Sequence, residues 1–287
     1  MRQVIEFDIL LVAHAKTNWN RGPFCRSRCR PNALTVALSW VIIFGLWAGE
    51  LPSFATDNPQ ATVPQTDTAP LLGTELPYEP TENYHERIIR GWRVLVHRSL
   101  LEEHRELSDR VLELLDIQLY AIVRTVPERA VDKLREVPIW VEHSSTRVTC
   151  ACYHPSRGWL KAHGMNPDKA GAVEIGNAET FLAWTLSQPS MVLHELAHAY
   201  HHRFLGGYDN PEIKAAWHQA VESGKYLRVL HWGGSRRRAY AIENPQEYFA
   251  ELSEAWFGVN DFYPFVRAEV IQHDPEGAKL LRKLWGG

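Results

Sequence analysis

Cysteine and net charge are both scarce in this chain. Four Cys in 287 residues fall into two close pairs, Cys25 with Cys29 and Cys150 with Cys152. That is too few for a disulfide scaffold. Cys150 and Cys152, two apart on an expected strand, point to one face and are expected to form a strained disulfide with no catalytic role. A formal charge of -3 leaves no basic field able to neutralise many phosphates, so no nucleic-acid partner is expected. No internal repeat is visible, and 45% apolar with 23% charged residues is an ordinary globular composition, which excludes global disorder. What is plentiful is aromatic and imidazole chemistry, with 11 Trp and 14 His. Tryptophan mostly packs cores and lines clefts. The histidines have to be located.

One long apolar stretch exists, Ala33 to Gly49, preceded by Arg21, Arg26, Arg28 and Arg30 and followed by Ser53-Phe54-Ala55. That order is a secretory leader's. At about 17 residues it sits at the short limit for crossing a hydrocarbon core, so an uncleaved anchor is the second option. Basic residues on its N-terminal side hold that end in the cytoplasm and send the rest across the membrane. Residues 1–55 are therefore read as an N-terminal extension with signal peptide or anchor. Residues 56–80, with five Pro among Thr, Asp and Gln, are read as a disordered linker. Residues 81–287 form one domain, exported to the periplasm, the exterior or the outer side of a membrane.

Within that domain Trp92 to His97 alternates like a strand. Ser99 and Glu102 form a capping box for one helix running to about Arg124, and a short helix follows Pro127. Further strands are expected at 139–143, 147–153 and 170–176. Helices are expected at 189–205, 211–223, 244–257, 262–272 and 275–285, the pattern being helical after Asn177. The fold class is α+β: a small mixed sheet packed on one helix, then a mostly helical C-terminal half.

The helix beginning at Pro189 reads His194-Glu195-Leu196-Ala197-His198 at its centre. Residues four apart share a helix face, so the two imidazoles converge on one point, with Glu195 beside them in reach of a metal-bound water. Two core histidines satisfied by hydrogen bonds are the bland alternative, but an apolar helix would then bury three ionisable groups in one turn. Zinc fits, and a catalytic zinc wants a third protein ligand. The metzincin continuation fails, since positions 201 and 204 hold His201 and Phe204. A thermolysin-like glutamate leaves only Glu222, which lacks that family's partner Asp. The third option is Tyr240 to Glu251, where Asn244 caps a helix with Pro245 in its first position, and Glu247, Glu251 and Glu254 recur at i, i+4 and i+7. A carboxylate stripe on a helix otherwise covered by aromatics suggests a buried cation. His201 and His202 are expected to be exposed or supporting residues rather than ligands.

The pairing of His194-Glu195-x-x-His198 with Tyr240 and Glu247, in a Glu-Tyr-Phe-Ala-Glu context, resembles the zinc metallopeptidases related to anthrax lethal factor, the Pro-Pro endopeptidases and the Mlc titration factor. The resemblance covers about 65 residues, from Pro189 to Trp256, and its lack of room for toxin delivery domains means no lethal-factor substrate carries over. It implies a zincin-like fold and one zinc per chain held by His194, His198 and Glu247. It also implies Glu195 as general base, Tyr240 as oxyanion donor and Glu251 as the carboxylate behind a ligand histidine. The Ser253-Glu254 pair is similar to the titration-factor branch. The expected activity is hydrolysis of a peptide or protein substrate outside the cytoplasm, the substrate lying as an added strand along a sheet edge at Gly171 to Asn177. The alternatives are a zinc-binding regulatory protein and a zinc enzyme acting on another bond. The membrane enters only through the N-terminal segment.

Overall fold

The computed structural model describes residues 77–286. The leader or anchor and the linker up to residue 76 lie outside the described residues. Among the described residues no helix is long and apolar enough to cross a membrane.

The chain folds as α+β around one mixed sheet. Strands β1 (Tyr84–Ile89) and β2 (Trp92–His97) form an antiparallel hairpin, turned by Arg90 and Gly91 at positive φ. Gly91 tolerates φ +92 because it has no Cβ. β1 was not anticipated, since its exposure pattern carries little hydrophobic alternation. Helix α1 (Arg98–Glu102) follows, and then α2 (Arg105–Thr125). The single helix expected across 99–124 is thus two. The imidazole of His97 accepts from the Ser99 amide and caps α1 two residues before the expected cap at Ser99, while His104 takes a non-helical conformation that breaks it from α2. Helix α3 (Glu128–Arg135) leads into β3 (Ile139–Val141).

Next come β4 (Ala151–Tyr153), α4 (Arg157–Ala162) and β5 (Val173–Ile175). Sheet order is β1-β2-β3-β5-β4, with β2, β3 and β5 parallel and both outer strands antiparallel to their neighbours. Two expectations are corrected. The segment 171–177 is not an edge, because β5 is paired on both sides, and the edge beside the helices is β4. Cys150 and Cys152 are not joined to each other by a disulfide. Cys150 precedes β4, so strand alternation does not govern it. Its sulfur lies 3.2 Å from the Met191 sulfur, whereas Cys152 packs with Val148, Leu160 and Met165 in a separate cluster.

Helix α5 (Ala178–Trp184) precedes α6 (Met191–Phe204), which Ser190 opens, so Pro189 stands in the turn before the helix. Helix α7 (Pro211–Glu222) leads to an unanticipated hairpin, β6 (Val229–Leu230) with β7 (Arg236–Arg237). A single 3-10 turn at Tyr240–Ile242 opens onto α8 (Pro245–Phe257). Helices α9 (Arg267–His273) and α10 (Pro275–Trp285) close the fold. α9 begins five residues later than expected because Phe262 bridges to His231 and Tyr263 donates to Leu230, extending the hairpin sheet. The main core lies between one sheet face and α2, α3 and α6, and continues beneath α8 and α10.

Candidate metal centre

Eleven of the fourteen residues of α6 are buried, among them His194, Glu195 and His198. Those ionisable groups are buried because α6 is covered on both sides, by the sheet and by α8. α8 starts where the sequence says it should. Asn244 Oδ1 accepts from the Glu247 amide at 2.9 Å, and Pro245 occupies a first-turn position where its missing N–H costs nothing. That cap fixes the phase of α8 and directs Glu247, Glu251 and Glu254 toward α6.

The result is a tight donor set. His194 Nε2 lies 3.0 Å from His198 Nε2 and 3.1 Å from Glu247 Oε2, and His198 Nε2 is 3.4 Å from the same oxygen. Three donors bound to one zinc at about 2.0–2.1 Å in tetrahedral directions would stand roughly 3.3 Å apart. The observed separations are close to that. Buried His194, His198 and Glu247 are one group able to hold a metal ion, and the donor chemistry, two imidazole nitrogens and a carboxylate, fits zinc. A second group, His194 with Glu251 and Glu254, lies on the opposite nitrogen of the same ring. There His194 Nδ1 donates to Glu254 Oε1 at 2.7 Å, while Glu251 Oε1 is 3.8 Å away. The 2.7 Å contact is an ordinary charge-assisted hydrogen bond, and it leaves the Nε2 lone pair facing Glu247. Glu254, rather than Glu251, is therefore the acceptor that orients this ring. Its place at i+7 on the stripe was the available signal.

Protonation follows the same geometry. Burial opposes a charge on His194, but hydrogen bonds to Glu247 and Glu254 outweigh it and raise its pKa well above the usual value. Burial likewise opposes charge on Glu247, yet His198 and His194 hold its carboxyl far below the carboxylate range. Two lone-pair donors this close, in a site this dry, need a positive charge between them. A proton or a metal ion supplies it.

Glu195 is 3% exposed, and its Oε2 accepts the backbone N–H of Tyr153 at 2.8 Å. This bond joins the candidate base to the edge strand, a link no spacing rule could reveal. Cys150 and His154 bond through their backbones to Gly176 and Ala172, so those of Ala151 and Tyr153 face away from β5, toward α6. Burial raises the Glu195 pKa, partly opposed by His194, His198 and this N–H. Tyr240, half-buried in its 3-10 turn, donates to Glu247 Oε1 at 3.2 Å. All the expected site residues thus lie at this centre, Glu251 with its Oε1 3.8 Å from His194 Nδ1.

His201 and His202 separate. His202 Nδ1 lies 2.9 Å from the Tyr153 hydroxyl. His201 is fully buried, packs edge-on against Tyr208 and Phe249, and neither ring nitrogen has a hydrogen-bond partner. On the far side of the sheet runs a buried polar chain that the sequence did not disclose. The Tyr84 hydroxyl donates to Glu142. Lys169 Nζ stands 2.5 Å from Glu142 and 2.8 Å from Glu174, and Glu174 pairs with His154 Nε2 at 2.6 Å. It straps β3, β5 and the residue after β4 together.

Searches of protein-family models, of curated proteins and of solved structures found no match to this chain.

Proposed function

We propose that the chain is a zinc-dependent endopeptidase with a zincin-like fold, acting outside the cytoplasm on a peptide or protein substrate. The observation that carries this reading is the convergence of His194, His198 and Glu247 beside the buried carboxylate of Glu195. Export is supported by the order of basic, apolar and small residues between Arg21 and Ala55.

His194, His198 and Glu247 hold the ion, and Glu254 fixes the ring of His194 from behind. Zinc bound there supplies a Lewis acid for the scissile carbonyl and lowers the pKa of a water. A substrate lies as a strand beside β4, the outer strand of the sheet, and its carbonyl carbon meets the attacking water. Glu195 takes a proton from that water and delivers it to the departing amine. Its raised pKa makes it a better base than an exposed glutamate, and the Tyr153 N–H holds one oxygen so that the other is aimed at the water. Tyr240 turns its hydroxyl from Glu247 to the developing oxyanion, a bond made stronger in the transition state than in the ground state.

The decisive experiment compares wild type with Glu195→Gln in metal content and in cleavage of a peptide library. The variant is expected to keep about one zinc per chain and to lose roughly 10²–10⁴-fold in turnover. Unchanged turnover eliminates Glu195 as base, and a zinc-loaded wild type that cleaves nothing eliminates the peptidase reading.

A further inference from the structure

The segment from Ser223 to Ile242 contains five Lys or Arg and no Asp or Glu, in a chain whose net formal charge is -3. It folds into the β6–β7 hairpin. Val229 pairs with Arg237 and Leu230 with Arg236, the His231 and Ala239 amides donate to the carbonyls of Ser235 and Tyr226 beyond the two ends, and along this continued ladder alternation sorts the side chains into two faces. The inner face holds Val229 and His231, both buried, with the Arg237 guanidinium over the ring of Phe262 and the His231 ring against it. The outer face holds half-buried Leu230 with Arg228, Arg236 and Arg238, all exposed, and continues to Trp232, 58% exposed at the turn.

Arg238 is ion-paired with Glu243 and donates to the carbonyl of Ile242 at 2.8 Å, which ties this face to the turn presenting Tyr240. Only Ala239 stands between Arg238 and Tyr240, two steps of chain that span roughly 7 Å in extended backbone. Among the described residues Arg228 and Arg236 form no ion pair.

We infer that this outer face is the docking surface for the substrate's flanking residues, and that the substrate is a polypeptide segment rich in Asp or Glu beside the scissile bond. The inference rests on the peptidase reading of the neighbouring metal centre. A peptide whose carbonyl meets the Tyr240 hydroxyl has its next few side chains within reach of the hairpin. Two unpaired guanidiniums there can take carboxylates in forked hydrogen bonds, and Trp232 offers a flat apolar platform to the residue between them. An anionic lipid surface is the other partner such a face could meet. The covalent tie to the Tyr240 turn favours the substrate, because a lipid surface has no need of that neighbour.

The test uses the full chain, zinc-loaded and carrying Glu195→Gln so that ligand is not consumed. Fluorescence anisotropy compares a labelled peptide containing a Glu run with its Gln analogue. The Glu peptide is expected to bind about tenfold more tightly at low salt, with the difference shrinking as ionic strength rises. Adding Arg228→Glu and Arg236→Glu should erase or invert that ratio. Arg228→Lys with Arg236→Lys should restore much of it, which separates charge from disturbed folding. Equal binding of the two peptides, or a ratio indifferent to charge reversal, overturns the inference while leaving the peptidase reading intact. Phosphatidylglycerol vesicles that bind through these arginines when the Glu peptide does not would assign the face to membrane. Tight binding of the Glu peptide by a wild type that cleaves nothing would sink the peptidase reading and this inference with it.

Discussion

Replacing His201 by Leu gives a sharp test of how dry the ground around α6 is. His201 has no exposed surface, and neither ring nitrogen is hydrogen-bonded. Burial, with added repulsion from His198 and His202, pushes its pKa down to about 3. In the unfolded chain a histidine titrates near 6.5. Between those values the unfolded state binds a proton that the folded state refuses, so stability is intact above about pH 6.5 and is lost as pH falls toward 3. Integrating the linkage relation from pH 7.5 to 5.0 gives a loss of about 2 kcal/mol from this residue alone. His201→Leu removes the titration at similar volume. Urea unfolding of wild type and variant at both pH values should show the variant gaining about 2 kcal/mol on wild type as pH drops. Titrations common to both proteins cancel in that difference. A gap that stays constant from pH 7.5 to 5.0 would refute the argument and mean that the imidazole is bonded or already charged in the folded protein.

Three further outcomes follow from the geometry. Glu254→Gln should weaken zinc affinity by roughly 10–100-fold, and more than Glu251→Gln, because Glu254 makes the 2.7 Å bond to His194 Nδ1; equal affinities in a competitive chelator titration would remove that distinction. Tyr240→Phe should lower kcat with little change in KM in steady-state peptide hydrolysis, and an unaltered kcat would leave this hydroxyl only its bond to Glu247. Lys169→Met strands Glu142 and Glu174 in the interior and should cost about 3–5 kcal/mol in chemical denaturation. A loss below about 1 kcal/mol would show that the two carboxylates find other compensation.

The candidate site was legible wherever it is written in helices. The i, i+4 spacing of His194 and His198, the Asn244-Pro245 start of α8 and the stripe through Glu254 all follow from a period of 3.6 and from capping chemistry, which are local. The bounds of α7, α8 and α10 agree with expectation to within a residue for the same reason. What was not legible is what depends on distant partners. A three-residue strand such as β4 has too few positions to show alternation, so neither its place at the sheet edge nor its N–H to Glu195 could be read. β5 looked like an edge because it is the last strand before α6 in sequence, but β4 folds back antiparallel outside it. The expected bond between Cys150 and Cys152 failed because strand alternation was extended one residue past the strand's real start.

Charge balance ties the site to the fold. Glu195, Glu247, Glu251 and Glu254 are each 5% exposed or less, on two helices packed face to face, and His194 and His198 are the imidazoles among them. Four carboxylates cannot all be ionised there at tolerable cost unless cations accompany them, since an uncompensated buried charge costs several kcal/mol. The raised pKa of Glu195 and the upward shift of His194 are two ways in which the chain lessens the excess negative charge. A divalent ion between the ligand atoms is a third, and it lets His194 give up its extra proton while still donating to Glu254. Metal binding and the packing of α6 on α8 are then coupled steps, because any ion that binds only the folded chain stabilises it by mass action. The stripe on α8 that looks wasteful for a helix in a core is intelligible as the anionic half of a site able to hold a metal ion.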